Sequence, residues 1–136
     1  FIGFILATIS AMLVYRNPTV SPWFVLVNVI YPVWETLFSV TRRKFFHKNA
    51  IGLPDSLHLH QLIFLRVMCH FDGWKRNSYT SPNLLYLSVI FSSMGVLFWD
   101  NTLAIFVIVV VYIILYVYIY FRIVNFRTPK LLLPFR

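Results

Sequence analysis

Acidic residues are almost missing from this chain: Glu35, Asp55, Asp72 and Asp100 are the only four among 136 residues. Charge of either sign makes up 12% of the sequence, about half of what a soluble domain uses to keep its surface wet. A core wrapped in a hydrated shell is therefore excluded. With 60% hydrophobic residues and a mean hydropathy of +0.76, the sensible solvent for most of the chain is lipid. A single cysteine, Cys69, excludes an internal disulfide. Serine-hydrolase, Walker and Rossmann signatures are absent. One thiol and four carboxylates also leave a zinc site thin, even though His58-Leu59-His60 lies near Asp55, so no metal ligand is assigned.

What the chain does have is long apolar runs. Residues 107–121 hold no charge, no Gly and no Pro, and the run reaches back to Thr102. About twenty such residues cross roughly 30 Å of hydrocarbon as a helix. In lipid the backbone must satisfy its own hydrogen bonds, and a barrel strand would alternate, which this run does not. The expected fold is all-α, a polytopic membrane bundle of about four spans that forms part of a larger bundle. The first stretch, residues 1–14, is slightly short for a span and carries no signal-peptide features, so it is expected to end a helix that begins upstream. A second span is expected over residues 23–40, kinked at Pro32. Ser81-Pro82 has the form of a helix start, giving a third span over residues 82–99. Asp100-Asn101 turns the chain into the fourth span, which ends near Phe121. The organisation is then two spans in 1–41, a basic loop in 42–81, two spans in 82–121 and a basic tail in 122–136.

Basic residues give the orientation. The 42–81 loop holds seven Lys and Arg, the tail four, the turn near Arg16 one and the turn at 100–101 none. Loop and tail are therefore expected in the cytoplasm. The net charge of +8 reads as attraction to anionic headgroups rather than to nucleic acid. Tyr112, Tyr116, Tyr118 and Tyr120 crowd the same end of the last span, as an interfacial aromatic belt would.

A glutamate within a membrane helix is costly, which makes Glu35 a functional candidate. At 100° per residue, Asn28, Glu35, Ser39 and Arg42 form one stripe that also contains Pro32. The stripe either packs against other spans or lines a polar cavity open to the cytoplasm. Arg42-Arg43-Lys44 follows at the helix end, where a topology anchor suffices to explain it. Further on, Pro54 with Asp55 or Ser56 reads as a helix N-cap, with Leu57, Phe64 and Met68 on one apolar face. Alternate helical residues point about 200° apart, so His58 and His60 share a ligand only where the chain is extended or just entering a helix. Free helix-terminal amides, two imidazoles and nearby arginines suit a diphosphate. Histidines in a wet loop are equally often bystanders.

The combination Pro32-Val33-Trp34-Glu35-Thr36, then Arg42-Arg43-Lys44, then Pro54-Asp55-Ser56-Leu57-His58-Leu59-His60-Gln61 resembles the C-terminal part of the polyprenyl-phosphate N-acetylhexosamine-1-phosphate transferases. The likeness covers about residues 1–66; the last two spans agree only in number and character. It implies transfer of a sugar 1-phosphate from a UDP-N-acetylhexosamine to undecaprenyl phosphate, releasing UMP, with Mg²⁺, in the bacterial inner membrane. It also implies that His58 and His60 help to bind the UDP-sugar, that Arg42 or Arg43 neutralises its diphosphate, and that Asp55 orients a histidine. The third motif position, often histidine in the family, is Gln61 here, which points to the branch that primes surface polysaccharides such as O-antigen. The family's magnesium-binding and catalytic aspartates have no counterpart in this sequence and are expected in upstream loops. By itself the segment is expected to bind weakly and catalyse nothing. Two other classes remain: a transporter or channel piece broken around Pro32 and Glu35, and a membrane scaffold with a lipid-binding loop.

Overall fold

The computed structural model describes residues 1–47 and 58–125. Among them every regular element is helical, in the order α1 (Ile2–Arg16), α2 (Pro22–Asn28), α3 (Ile30–Arg42), α4 (Leu59–Leu62), α5 (Gly73–Leu97) and α6 (Thr102–Val124). α3 and α4 each run on into a wider π turn, Arg43–His47 and Ile63–Val67. The protein is an all-α membrane bundle. α5 and α6 are long and apolar enough to cross a bilayer, and α2 with α3 makes a third span if the bent pair counts as one. α1, at fifteen residues, is shorter and buries none of its side chains. Apolar on all sides, it has no face that water would drive inward, and lipid suits every face equally.

The break between α2 and α3 falls at Val29, one turn before Pro32, and the two axes differ by 80°. Proline explains the offset. It offers no N–H to the carbonyl four residues earlier, that of Asn28, and its ring crowds that same carbonyl. The ladder therefore fails at 28–29, ahead of the ring that causes the failure. Side chains shore up the edges: Asn28 Nδ2 donates to the Phe24 carbonyl and Thr36 Oγ1 to that of Pro32, both at 2.8 Å.

Pro82 behaves differently from its expected role as a helix start. α5 begins at Gly73 and carries Pro82 inside it. Neighbouring side chains bind the carbonyls around the missing N–H: Thr80 donates to Arg76 and Asn83 to Tyr79. The turn before is fastened from outside, since the Arg76 guanidinium donates to the carbonyls of Phe64 and Leu65. α6 starts as read, with Asn101 Oδ1 accepting the Ala104 N–H at 3.0 Å.

The core lies among α2, α4, α5 and α6. Trp23 meets Phe106 edge-to-face, as Phe91 meets Tyr112. α2 and α5 approach so closely at Gly95 that a Cβ there would come within 2.9 Å of Val27 Cγ1. Tyr112, Tyr116 and Tyr120 correct the expectation of an interfacial belt. Spaced by four residues, they share one face of α6 and are buried, each about 3% exposed, while Tyr118 alone of the four points outward. The two ends of the bundle differ in character. At one, the Ser21 N–H donates to the Trp99 carbonyl. At the other, Arg66 caps α6 by donating to the carbonyls of Ile123 and Val124. Arg42 stacks over Tyr120 at that second end, so the basic loop and the end of α6 lie together.

Candidate functional site

Glu35 is the centre of this basic end. It is 8% exposed, on the face of α3 that also buries Ser39 and Arg42. The expected stripe thus holds from Glu35 to Arg42. Asn28 leaves it: on the far side of the break, it is exposed and its amide is turned back on its own helix. The 80° bend separates residues that an unbroken wheel would align.

The Glu35 carboxylate joins three elements. Oε1 accepts the backbone N–H of Leu59 at 2.8 Å and lies 3.0 Å from His58 Nδ1. Oε2 accepts the Tyr116 hydroxyl of α6 at 2.6 Å. Tyr31 and Tyr112 stand close enough to feel its charge. A carboxylate in an apolar bundle is tolerable only when its lone pairs are filled, and here an amide, an imidazole and a phenol fill them. Glu35 is also the N-terminal cap of α4, supplied from a different helix. That corrects one expectation: the Leu59 amide already has an anion from within the chain, so it does not serve an incoming diphosphate.

His58 precedes α4 in an extended conformation (φ −68°, ψ 148°), and His60 lies in the first turn. This entry geometry is the one in which alternate residues can share a side. The two rings stack, with centroids 5.6 Å apart and planes 14° from parallel. His58 is half-buried and fixed by Glu35, whereas His60 is exposed. Asp55 lies outside the described residues, as do the proposed N-cap at Asp55 or Ser56 and Leu57. The apolar face of this helix consists of Leu59, Leu62, Ile63, Val67 and Met68, with Phe64 at its margin.

Of the two arginines, Arg42 is 7% exposed and lies against the ring of Tyr120, while Arg43 is half-buried and nearer the surface. Arg66 and Arg76, which count equally in the charge tally, are both spent on backbone carbonyls. Beside His60 an open cleft separates α4 from α5, with Gln61, Asn77 and Ser81 on its polar side and Phe64 and Leu84 on its apolar side. Among the described residues no three His, Cys, Asp or Glu side chains converge on one point.

Sequence reasoning missed Tyr116. The signal was present, since three tyrosines at intervals of four on an apolar helix mark one face. No protein-family model, curated protein or solved structure matches the chain.

Proposed function

We propose that the chain contributes the nucleotide-sugar-binding end of a membrane transferase that moves a sugar 1-phosphate from a UDP-N-acetylhexosamine to undecaprenyl phosphate. On this reading the protein lies in the bacterial inner membrane, with residues 42–81 and the tail facing the cytoplasm. The observation that carries the proposal is the bond between Glu35 and His58. The Pro-Val-Trp-Glu-Thr helix and the His-Leu-His segment are the separate sequence features on which the resemblance rests, and they meet through a buried carboxylate. A pair of stacked imidazoles results at the basic end of the bundle, with His60 on an open cleft.

The reaction forms a bond between an oxygen of undecaprenyl phosphate and the β-phosphorus of the donor. The bridge to the α-phosphate breaks, and UMP leaves with that bridging oxygen. Such a transfer requires positioning and charge neutralisation more than covalent help from the protein. His58 and His60 would hold the donor, with Arg42 or Arg43 neutralising its diphosphate. Magnesium would neutralise the diphosphate. The described residues contain no group fitted to hold it, and on this reading other cytoplasmic loops of the enzyme supply its aspartates.

The test follows the phosphorus. Membranes expressing the full-length protein, given UDP-N-acetylhexosamine labelled at the β-phosphate, undecaprenyl phosphate and Mg²⁺, should place the label in a lipid diphosphate and release unlabelled UMP. Release of UDP, or no lipid product, would remove the reading. The 80° break favours one rival, a transporter whose broken helix lines a path. That rival requires Glu35 and leaves the histidines dispensable.

A further inference from the structure

Glu35 receives more donors than its own helix can explain. The Leu59 amide can only donate, and it does so to Oε1; the Tyr116 hydroxyl lies 2.6 Å from Oε2. An ionised carboxylate only accepts, so the contact with His58 at 3.0 Å is a hydrogen bond when Nδ1 carries the proton. A neutral imidazole has one N–H and one lone pair. With the proton on Nδ1, the lone pair belongs to Nε2, at the far edge of the ring. An oriented carboxylate selecting one tautomer in this way is the usual means of readying a histidine for a task at its other nitrogen.

We propose that Tyr116 is a positioning residue for His58: acting through Glu35, it fixes the ring and its tautomer so that Nε2 meets the ligand as an acceptor. The matching ligand group is a hydroxyl or an N–H, such as a sugar or nucleobase carries, and the phosphate oxygens fall to the arginines. Three observations support this. Tyr116 is held in the buried face of α6, packed edge-to-face on Phe38. Its hydroxyl reaches only the oxygen that His58 does not use, so it steers the carboxylate without competing for it. Tyr112, one turn away on the same face, makes no such bond among those described and provides an internal control. The inference rests on the proposed role of His58 as a ligand-binding residue, but its central measurement does not need turnover.

That measurement is side-chain nitrogen NMR of histidine-labelled full-length protein in detergent at about pH 8, with His58→Gln to assign the signal. His58 should be the Nδ1–H tautomer in the wild type and in Tyr112→Phe, and a mixture in Tyr116→Phe, which keeps the ring and its packing. Inorganic pyrophosphate should leave the tautomer unchanged. In turnover, Tyr116→Phe should raise KM for the UDP-sugar about tenfold with kcat nearly unchanged, a loss of about 1.4 kcal/mol. An Nε2–H tautomer in the wild type, an unaltered signal in Tyr116→Phe, or conversion to imidazolium by pyrophosphate would each overturn the proposal. The expected tautomers in a protein without UDP-sugar turnover would sink the transferase reading and leave the positioning role standing.

Discussion

At the scale of single residues, one carboxylate organises the basic end. Glu35 caps α4, holds His58 and receives Tyr116, so its removal leaves three polar groups without their partner. Hydrogen bonds to a charged group are worth about 1.5–3 kcal/mol each in general, and much of the cost of losing one is the unpaired partner left behind. Because Glu35→Ala also removes the cost of burying a carboxylate, the net loss of stability should be roughly 2 kcal/mol, less than the sum of three such bonds. Glu35→Gln, which keeps an acceptor for the Leu59 amide, should cost less. Thermal loss of monodisperse protein in detergent checks the order, and equal midpoints for wild type and Glu35→Ala would contradict it. The importance of Glu35 was legible in the sequence because an intramembrane acid has few innocent explanations. Its partners were not. His58 lies 23 residues away and Tyr116 lies 81, and no local pattern encodes which distant donors a carboxylate will find.

At the scale of elements, prolines and close approaches decide the geometry. The kink in the second span was readable from Pro32, but its place and angle depend on which carbonyl the ring crowds, and that shifts the break to Val29. Asn28 dropped off the polar stripe for that reason. Pro82 carried the opposite lesson. A serine-proline pair has the chemistry of a helix start, yet Thr80 and Asn83 bind the surrounding carbonyls, Arg76 fastens the preceding turn to Phe64 and Leu65, and α5 runs through. Pro32→Ala should restore the missing hydrogen bond, extend α3 backward and swing Glu35 away from Leu59 and His58. Activity, if the transferase reading holds, should fall even though helix content rises by circular dichroism. A second expectation concerns the α2–α5 seam. Gly95→Leu forces a branched side chain where even a Cβ meets buried Val27. Overpacking of this kind costs about 1–3 kcal/mol, and it should lower the melting midpoint more than Gly95→Ala does. Leu at position 3, where a Cβ meets nothing within 4 Å, should have no effect.

At the scale of the whole molecule, helical class and membrane character followed from hydropathy and length, and the bundle bears them out. The proposed sidedness rests on charge. The joining of Arg66 to the end of α6, and of Ser21 to Trp99 at the opposite end, gives two distinct ends on which the charge asymmetry is laid out. On the proposed orientation, which puts the basic end in the cytoplasm, the exposed Cys69 should resist a membrane-impermeant maleimide in intact cells and react after permeabilisation. In a Cys69→Ser background, Asp100→Cys should react in intact cells; the reverse pattern would invert the topology. What sequence could not supply is the assembly of the site, which depends on α3, α4 and α6 meeting at one carboxylate. The measurement that bears most directly on that assembly is UMP release from UDP-N-acetylhexosamine by His58→Ala in the full-length protein, with undecaprenyl phosphate and Mg²⁺ supplied. Turnover should fall at least a hundredfold while membrane insertion stays intact; turnover at the wild-type rate would contradict the role given to the histidine pair.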